Sequence, residues 1–147
     1  MGRTSGRVVA VSRSARKGEK KIPEPSVALE PGHGVHGDAH AGPGIRQVSL
    51  LGEESIGKMR DRGLPVGPGD FAENVTVSGI DLPGLGIGKR LRVGEALLEI
   101  TQIGKECHDR CAIYLQAGDC VMPREGVFAR VLRGGTVVPG DPVEVVG

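Results

Sequence analysis

A chain of 147 residues suffices for one domain with a sizeable core, and an odd set of three cysteines at this size points to free thiols in a reducing cytoplasm rather than a disulfide scaffold. Two Phe, one Tyr and no Trp leave almost nothing on which bases could stack, which argues against nucleic acid as a partner, and no apolar run approaches the ~20 residues of a membrane span. The net charge of +1 conceals an asymmetry: residues 1–22 hold seven Lys or Arg against one Glu, whereas the remainder is acidic.

In chain order, Gly6 to Ser12 alternates as a first strand, and the basic tract Arg16-Lys-Gly-Glu-Lys-Lys21 with Pro23-Glu-Pro25 makes a solvated loop or hairpin turn. Ser26 to Glu30 reads as a second strand closed by Pro31-Gly32, after which a His/Gly segment running through Gly44 has no periodicity and is expected to be a long loop. Arg46 to Leu51 is a third strand. Glu53 to Arg62 has acids in its first turn, bases in its last and Gly63 beyond, the pattern of a short helix. A turn-rich link from Pro65 to Asp70 leads to strands at Phe71–Val77 and Arg90–Val93, and Gly94-Glu95 marks a hairpin into Ala96–Gln102. A second helix is expected over 110–117, with Asp109 capping it and Gly118 ending it. Strands at 127–132, 136–138 and 143–146 complete a mostly β chain, expected to close into one barrel-like domain spanning residues 1–147.

Gly32-His-Gly34-Val-His-Gly37 matches G-x-G-x-x-G by letter, but Asp38-Ala-His-Ala-Gly-Pro-Gly44 follows it. That sequence cannot open the helix that receives a pyrophosphate, so the dinucleotide reading fails. The same residues can instead form a polar corner, in which His36, Asp38 and His40 converge with Arg46 on an anion or metal; the plainer alternative is an exposed Gly/His turn.

The densest chemistry lies in Gly104-Lys-Glu-Cys107-His108-Asp-Arg-Cys111. Lys105, His108 and Arg110 surround Cys107 with positive charge, which favours the reactive thiolate, and Glu106 and Asp109 oppose them. A strand entering and a helix leaving would also set Cys107 near the positive end of a helix dipole. Cys107, Cys111 and Cys120 with a histidine offer zinc ligand types, but no second tight pair completes the set; Cys111 and Cys120 can equally be buried as small apolar residues. A Cys/His hydrolase would need a loop histidine as base, since His108, adjacent to the thiol in sequence, would normally point elsewhere.

These residues together resemble a MOSC domain, the C-terminal module of molybdenum cofactor sulfurases, in its stand-alone bacterial form. Four pieces carry the resemblance: Gly37-Asp-Ala-His40 with Arg46-Gln-Val-Ser-Leu50; Gly69 to Leu82, with Phe71-Ala-Glu73-Asn74 inside it; Gly88 to Gly94; and Thr101-Gln102 through Cys107, followed by Phe128-Ala-Arg-Val131 and Gly140 to Glu144. The resemblance implies a closed β-barrel and a role in handling molybdenum cofactor (molybdopterin) or its sulfur. The family's functional cysteine maps onto Cys107, as carrier of a persulfide or ligand of molybdenum, with Lys105, His108, Cys111 and Cys120 as supporting residues. Asp38, His40, Arg46, Glu73, Asn74 and Arg110 are then candidates for the cofactor's phosphate and pterin, while Glu73 and Asn74 can equally be turn caps. Pyridoxal phosphate would belong only to a separate cysteine desulfurase, and that enzyme or a molybdoenzyme would be the partner in sulfurtransferase chemistry. Two other classes of function are a pterin-cofactor carrier without catalysis and a zinc-stabilised interaction domain.

Overall fold

The structure is a computed structural model that describes residues 5–16, 20–39, 41–104 and 125–146. Eleven strands and two helices occur among them: β1 (Ser5–Arg13), β2 (Ile22–Glu24), β3 (Val27–Glu30), β4 (Gly34–Val35), β5 (Val48–Gly52), α1 (Glu53–Arg60), β6 (Val75–Ser78), α2 (Leu82–Leu85), β7 (Arg90–Val93), β8 (Ala96–Ile103), β9 (Val127–Arg133), β10 (Gly135–Val137) and β11 (Pro142–Val146). Seven strands run in the order β11-β7-β8-β9-β5-β6-β1, and a further β11–β1 pairing closes them into a barrel. β2 adds to the outer end of β1, and β10-β3-β4 form a separate small sheet.

Closure depends on β1 serving three neighbours in turn. Its first residues pair with β11, its middle with β6 and its last with β2, and the register shifts between Val8 and Ala10. A bulge at that point bends the strand from one partner to the next. Every barrel pairing is antiparallel except β5 with β6. A parallel pair needs a long crossover, and residues 53–74, which carry α1, provide it.

The barrel interior is filled rather than hollow. Val8, Val11, Val48, Leu50, Val75, Val77, Leu91, Val93, Leu98, Ile100, Val127, Ala129, Val131 and Val143 are all buried in one cluster, as the period-two alternation of their strands requires. A barrel of this size has room for side chains and little else, and each buried Val, Leu or Ile contributes roughly 1.5–3 kcal/mol. Chemistry is therefore confined to the rims and outer faces. A second cluster outside the barrel packs α1, through Ile56 and Met59, on Leu51, Val66, Phe71 and Phe128. That covering explains why β5 is buried on both faces.

Three local expectations differ from the structure. The strand expected from Phe71 begins only at Val75, because Phe71–Asn74 form a turn in which Ala72 takes a left-handed backbone (φ 62°). Ile22–Glu24 form an edge strand despite Pro23, a position where a missing N–H is tolerated. Leu82–Leu85 form a single helical turn that no periodicity announced. The expected helix over 110–117 lies outside the described residues. Among the described residues, no helix is long and apolar enough to cross a membrane.

Candidate functional site

β8 ends where the cysteine-bearing segment begins, and β9 starts where that segment returns. The two ends are tied together, for the Gly104 N–H donates to the Gly126 carbonyl at 2.6 Å. Lys105, Cys107, His108, Arg110, Cys111 and Cys120 belong to the segment between them and lie outside the described residues, as does His40.

Arg46 stands at this junction. Its Nε donates to Gln102 Oε1 at 3.0 Å, and the Gln102 amide nitrogen donates in turn to the Gly104 carbonyl at 2.9 Å. The guanidinium lies over the Phe128 ring, 5.4 Å from its centroid, a cation–π arrangement. The backbone before it is also fixed, since Thr101 Oγ1 donates to the Ile45 carbonyl. Next to it, Gln47 donates to the Gly44 carbonyl at 3.1 Å and accepts from the Val131 N–H at 3.0 Å. Arg46 is exposed, and its terminal nitrogens make no hydrogen bond or ion pair with described residues. A guanidinium held by Nε and by one face, with its outer N–H groups engaged by none of the described residues, is arranged to bind an oxyanion.

The other candidates are placed differently. Asp38 is buried: its Oδ1 accepts from Lys21 Nζ at 2.8 Å and from the Ser14 N–H at 3.0 Å, and neither side chain of the ion pair is exposed. His36 instead faces solvent, with Nδ1 2.7 Å from Glu30 Oε1. His36 and Asp38 therefore do not converge, and the expected polar corner does not form from them; Asp38 is drawn inward by the lysine, which also corrects the expectation that Lys21 belongs to a solvated tract. Among the described residues no group of three or more His, Cys, Asp or Glu could hold a metal. One glycine of the segment has a packing reason: at Gly34 (φ 122°) a Cβ would lie 2.3 Å from the Gln47 carbonyl oxygen. The glycine lets β4 approach the start of β5.

Glu73 and Asn74 bind the chain's own backbone. Glu73 is fully buried, accepting from the Phe71 N–H at 3.2 Å and from Thr76 Oγ1 at 2.8 Å. Burial pushes its carboxyl above the ordinary 4.5, opposed by hydrogen bonds from the Gly69 backbone and Thr76. Asn74 Oδ1 accepts from the Ser49 N–H at 3.1 Å, and Nδ2 donates to the Ser12 carbonyl at 3.2 Å. The two residues join β1, β5 and the turn before β6.

Sequence reasoning picked out Arg46 but not what holds it. Phe128 lies 82 positions away and Gln102 56, so no local periodicity relates them to Arg46. The available signal was a polar side chain ending a strand just before Gly104. Glu125 was also missed: its Oε1 accepts from Ser55 Oγ and Lys58 Nζ, both at 2.8 Å, fastening the segment's return to α1. A cleft of about 710 Å³ opens beside this contact, lined by Gly52, Ser55, Lys58, Ile80, Asp81 and Glu125 among others.

Comparison with known proteins gives a match to the MOSC domain over residues 36–144. No protein of curated description matches. Among solved structures, the YUAD protein from Bacillus subtilis is similar with a TM-score of 0.80 at 21% identity, covering 99% of this chain and 98% of that one. YiiM from Escherichia coli (TM-score 0.69, 21% identity, 99% of this chain and 71% of that chain) and YiiM from Geobacillus stearothermophilus (0.67, 21%, 97% and 73%) share the architecture. At these identities the likeness is one of fold. The family match rests on the sequence itself, and by it the chain belongs to the MOSC domain family, whose members are associated with molybdenum cofactor function.

Proposed function

We propose that this protein carries sulfur for molybdenum cofactor chemistry on Cys107, or ligates molybdenum through it, with Arg46 receiving the cofactor's phosphate. The observation that supports this reading is the fixed guanidinium of Arg46, linked through Gln102 to Gly104, three residues before the cysteine. The donor set fits the group: an anchored cation with open N–H donors suits a phosphate, and a thiolate suits a soft, sulfur-rich metal centre. When bound, the cofactor supplies that metal centre; Arg46 would hold its phosphate and Cys107 its metal or sulfur. Lys105, His108 and Arg110, neighbours of the thiol in sequence, favour its ionised form, against the opposing carboxylates of Glu106 and Asp109. Arg110 and His40 are further candidate N–H donors for the anion. Asp38, Glu73 and Asn74 act as the buried frame that fixes the surrounding loops.

In sulfur transfer, the Cys107 thiolate attacks the terminal sulfur of a donor persulfide. The new bond joins that sulfur to Sγ, the donor's S–S bond breaks, and the donor leaves as a thiolate, so no external oxidant or reductant is consumed. Cytoplasmic residence and a cysteine desulfurase donor or molybdoenzyme acceptor belong to this reading. Elemental analysis after expression in a host that makes molybdenum cofactor tests the cofactor half: wild type retains molybdenum, and Arg46→Ala and Cys107→Ser lose it while keeping the melting temperature. Equal molybdenum in all three proteins, or none in wild type, would overturn cofactor binding.

A further inference from the structure

The outer face of β7, β8 and β9 carries arginines in two adjacent cross-strand rows. In the first, the register sets Arg90 beside Glu99 and Glu99 beside Arg130. Glu99 is shared, with Arg130 Nη2 at 2.6 Å and Arg90 Nε at 3.5 Å. In the second row Arg92 stands beside Leu97, and Leu97 beside Arg133. Arg92 lies 4.0 Å from Glu144 on β11, and Arg133 forms no ion pair among the described residues. Directly opposed residues of paired strands point to the same side, so these side chains share one face. Toward the end of β8, Gln102 pairs with Phe128, and there Arg46 lies over the ring.

Four arginines against Glu99 and Glu144 leave a net charge of about +2 on this face, within a chain whose residues beyond 22 are net acidic. The nearer row lies on the strand that leads into the cysteine segment: Glu99 is five residues from Gly104, about 16 Å along an extended strand. That is well inside the footprint of a protein interface, which covers about 800 Å² per partner. We infer that the outer face of β7–β9 is the docking surface for a protein with an acidic face, the one that exchanges sulfur with Cys107; this identity of the partner rests on the sulfur-carrier reading. Interleaved glutamates and a partly buried leucine suit a protein surface of mixed charge. A nucleic acid would find no open aromatic surface to stack on among the described residues, where Phe71 and Phe128 are both buried.

The test measures binding of a fluorescent oligoglutamate peptide, with oligothymidylate as the rival probe, to wild type, R92E/R133E and K20E. Lys20 is exposed on a different loop, so K20E shows the effect of reversing a charge elsewhere, at half the change in net charge of R92E/R133E. The expected result is a loss of about tenfold in peptide affinity for R92E/R133E, little change for K20E, and weakening with salt. R92Q/R133Q serves if charge reversal prevents folding, with a smaller loss in the same direction. Absence of peptide binding by wild type, equal losses in both variants, or tighter binding of oligothymidylate through the same arginines would overturn the proposal. Cys107→Ser must bind the peptide like wild type, and R92E/R133E must take sulfur from a small-molecule persulfide like wild type. Failure of docking is thereby distinguished from failure of the thiol's assigned role.

Discussion

Gln102 accepts from Arg46 Nε and donates to the Gly104 carbonyl, so one amide side chain couples the exposed guanidinium to the start of the cysteine segment. The pair spans 56 positions of sequence and joins the approach to β5 with the end of β8. A cation held in this way loses little freedom when it meets an anion, which is what a binding site needs.

Arg46→Ala is expected to weaken cofactor binding by about 1.5–3 kcal/mol, the range of a charge-assisted hydrogen bond. Arg46→Lys should not restore it, because an ammonium cannot bond Gln102 and an oxyanion in a planar fork. Gln102→Ala should cost about tenfold, through loss of positioning rather than of charge. Titration of the pterin's fluorescence with each variant measures all three.

Lys21→Met is predicted to destabilise the fold by about 3–5 kcal/mol, because it removes the cation paired with a fully buried carboxylate. Asp38→Asn should also be costly, and the double substitution should cost less than the sum of the two. Urea denaturation of the four proteins as a double-mutant cycle gives the coupling.

Much of this fold was legible in the chain because its signals are local. The Gly94-Glu95 turn between two alternating runs gave the β7–β8 hairpin, and the charge order within Glu53–Arg60 gave α1. What escaped depends on contacts made across the barrel. Phe71 to Asn74 runs directly into the β-forming Val75-Thr-Val77 and reads as the start of that strand, yet Glu73 and Asn74 take backbone N–H and C=O groups as partners and bend the segment into a turn. Lys21 looked like one more solvated cation of a basic tract, and only its distant partner Asp38 accounts for its burial. At the site, residue chemistry singled out Arg46, while Gln102, Phe128 and Glu125 became visible only once β8, β9 and α1 were side by side.

Glu73 makes the barrel's stability depend on pH. Burial raises its folded pKa above the unfolded value of about 4.5, so the folded state binds the proton more tightly. The resulting stabilisation is complete below that value and is lost as pH rises through the folded pKa. Glu73→Gln should therefore be more stable than wild type at neutral pH, with the difference shrinking as pH falls through the raised folded pKa and reaching its minimum below about 4.5. Urea unfolding at pH 4 and pH 7 decides the sign.

Gly34→Ala should destabilise the junction of β4 with β5. A methyl group at 2.3 Å from the Gln47 carbonyl oxygen cannot be accommodated without backbone movement, and φ of 122° is unfavourable for alanine. A loss of about 2 kcal/mol is expected, within the range for a strained backbone position. Thermal unfolding compared with Gly42→Ala, whose Cβ would meet nothing within 4 Å although φ there is 145°, separates the steric part from the conformational part.

The central claim is that the sulfur handled by this protein sits on Cys107. Peptide-level mass spectrometry after exposure to a persulfide donor, without reductant, tests it most directly in wild type and in Cys107→Ser, Cys111→Ser and Cys120→Ser. The account predicts one added sulfur atom on the peptide containing residue 107, retained when Cys111 or Cys120 is replaced and lost when Cys107 is replaced. Sulfur that persists in Cys107→Ser, or that maps to Cys111 or Cys120 in wild type, would contradict it.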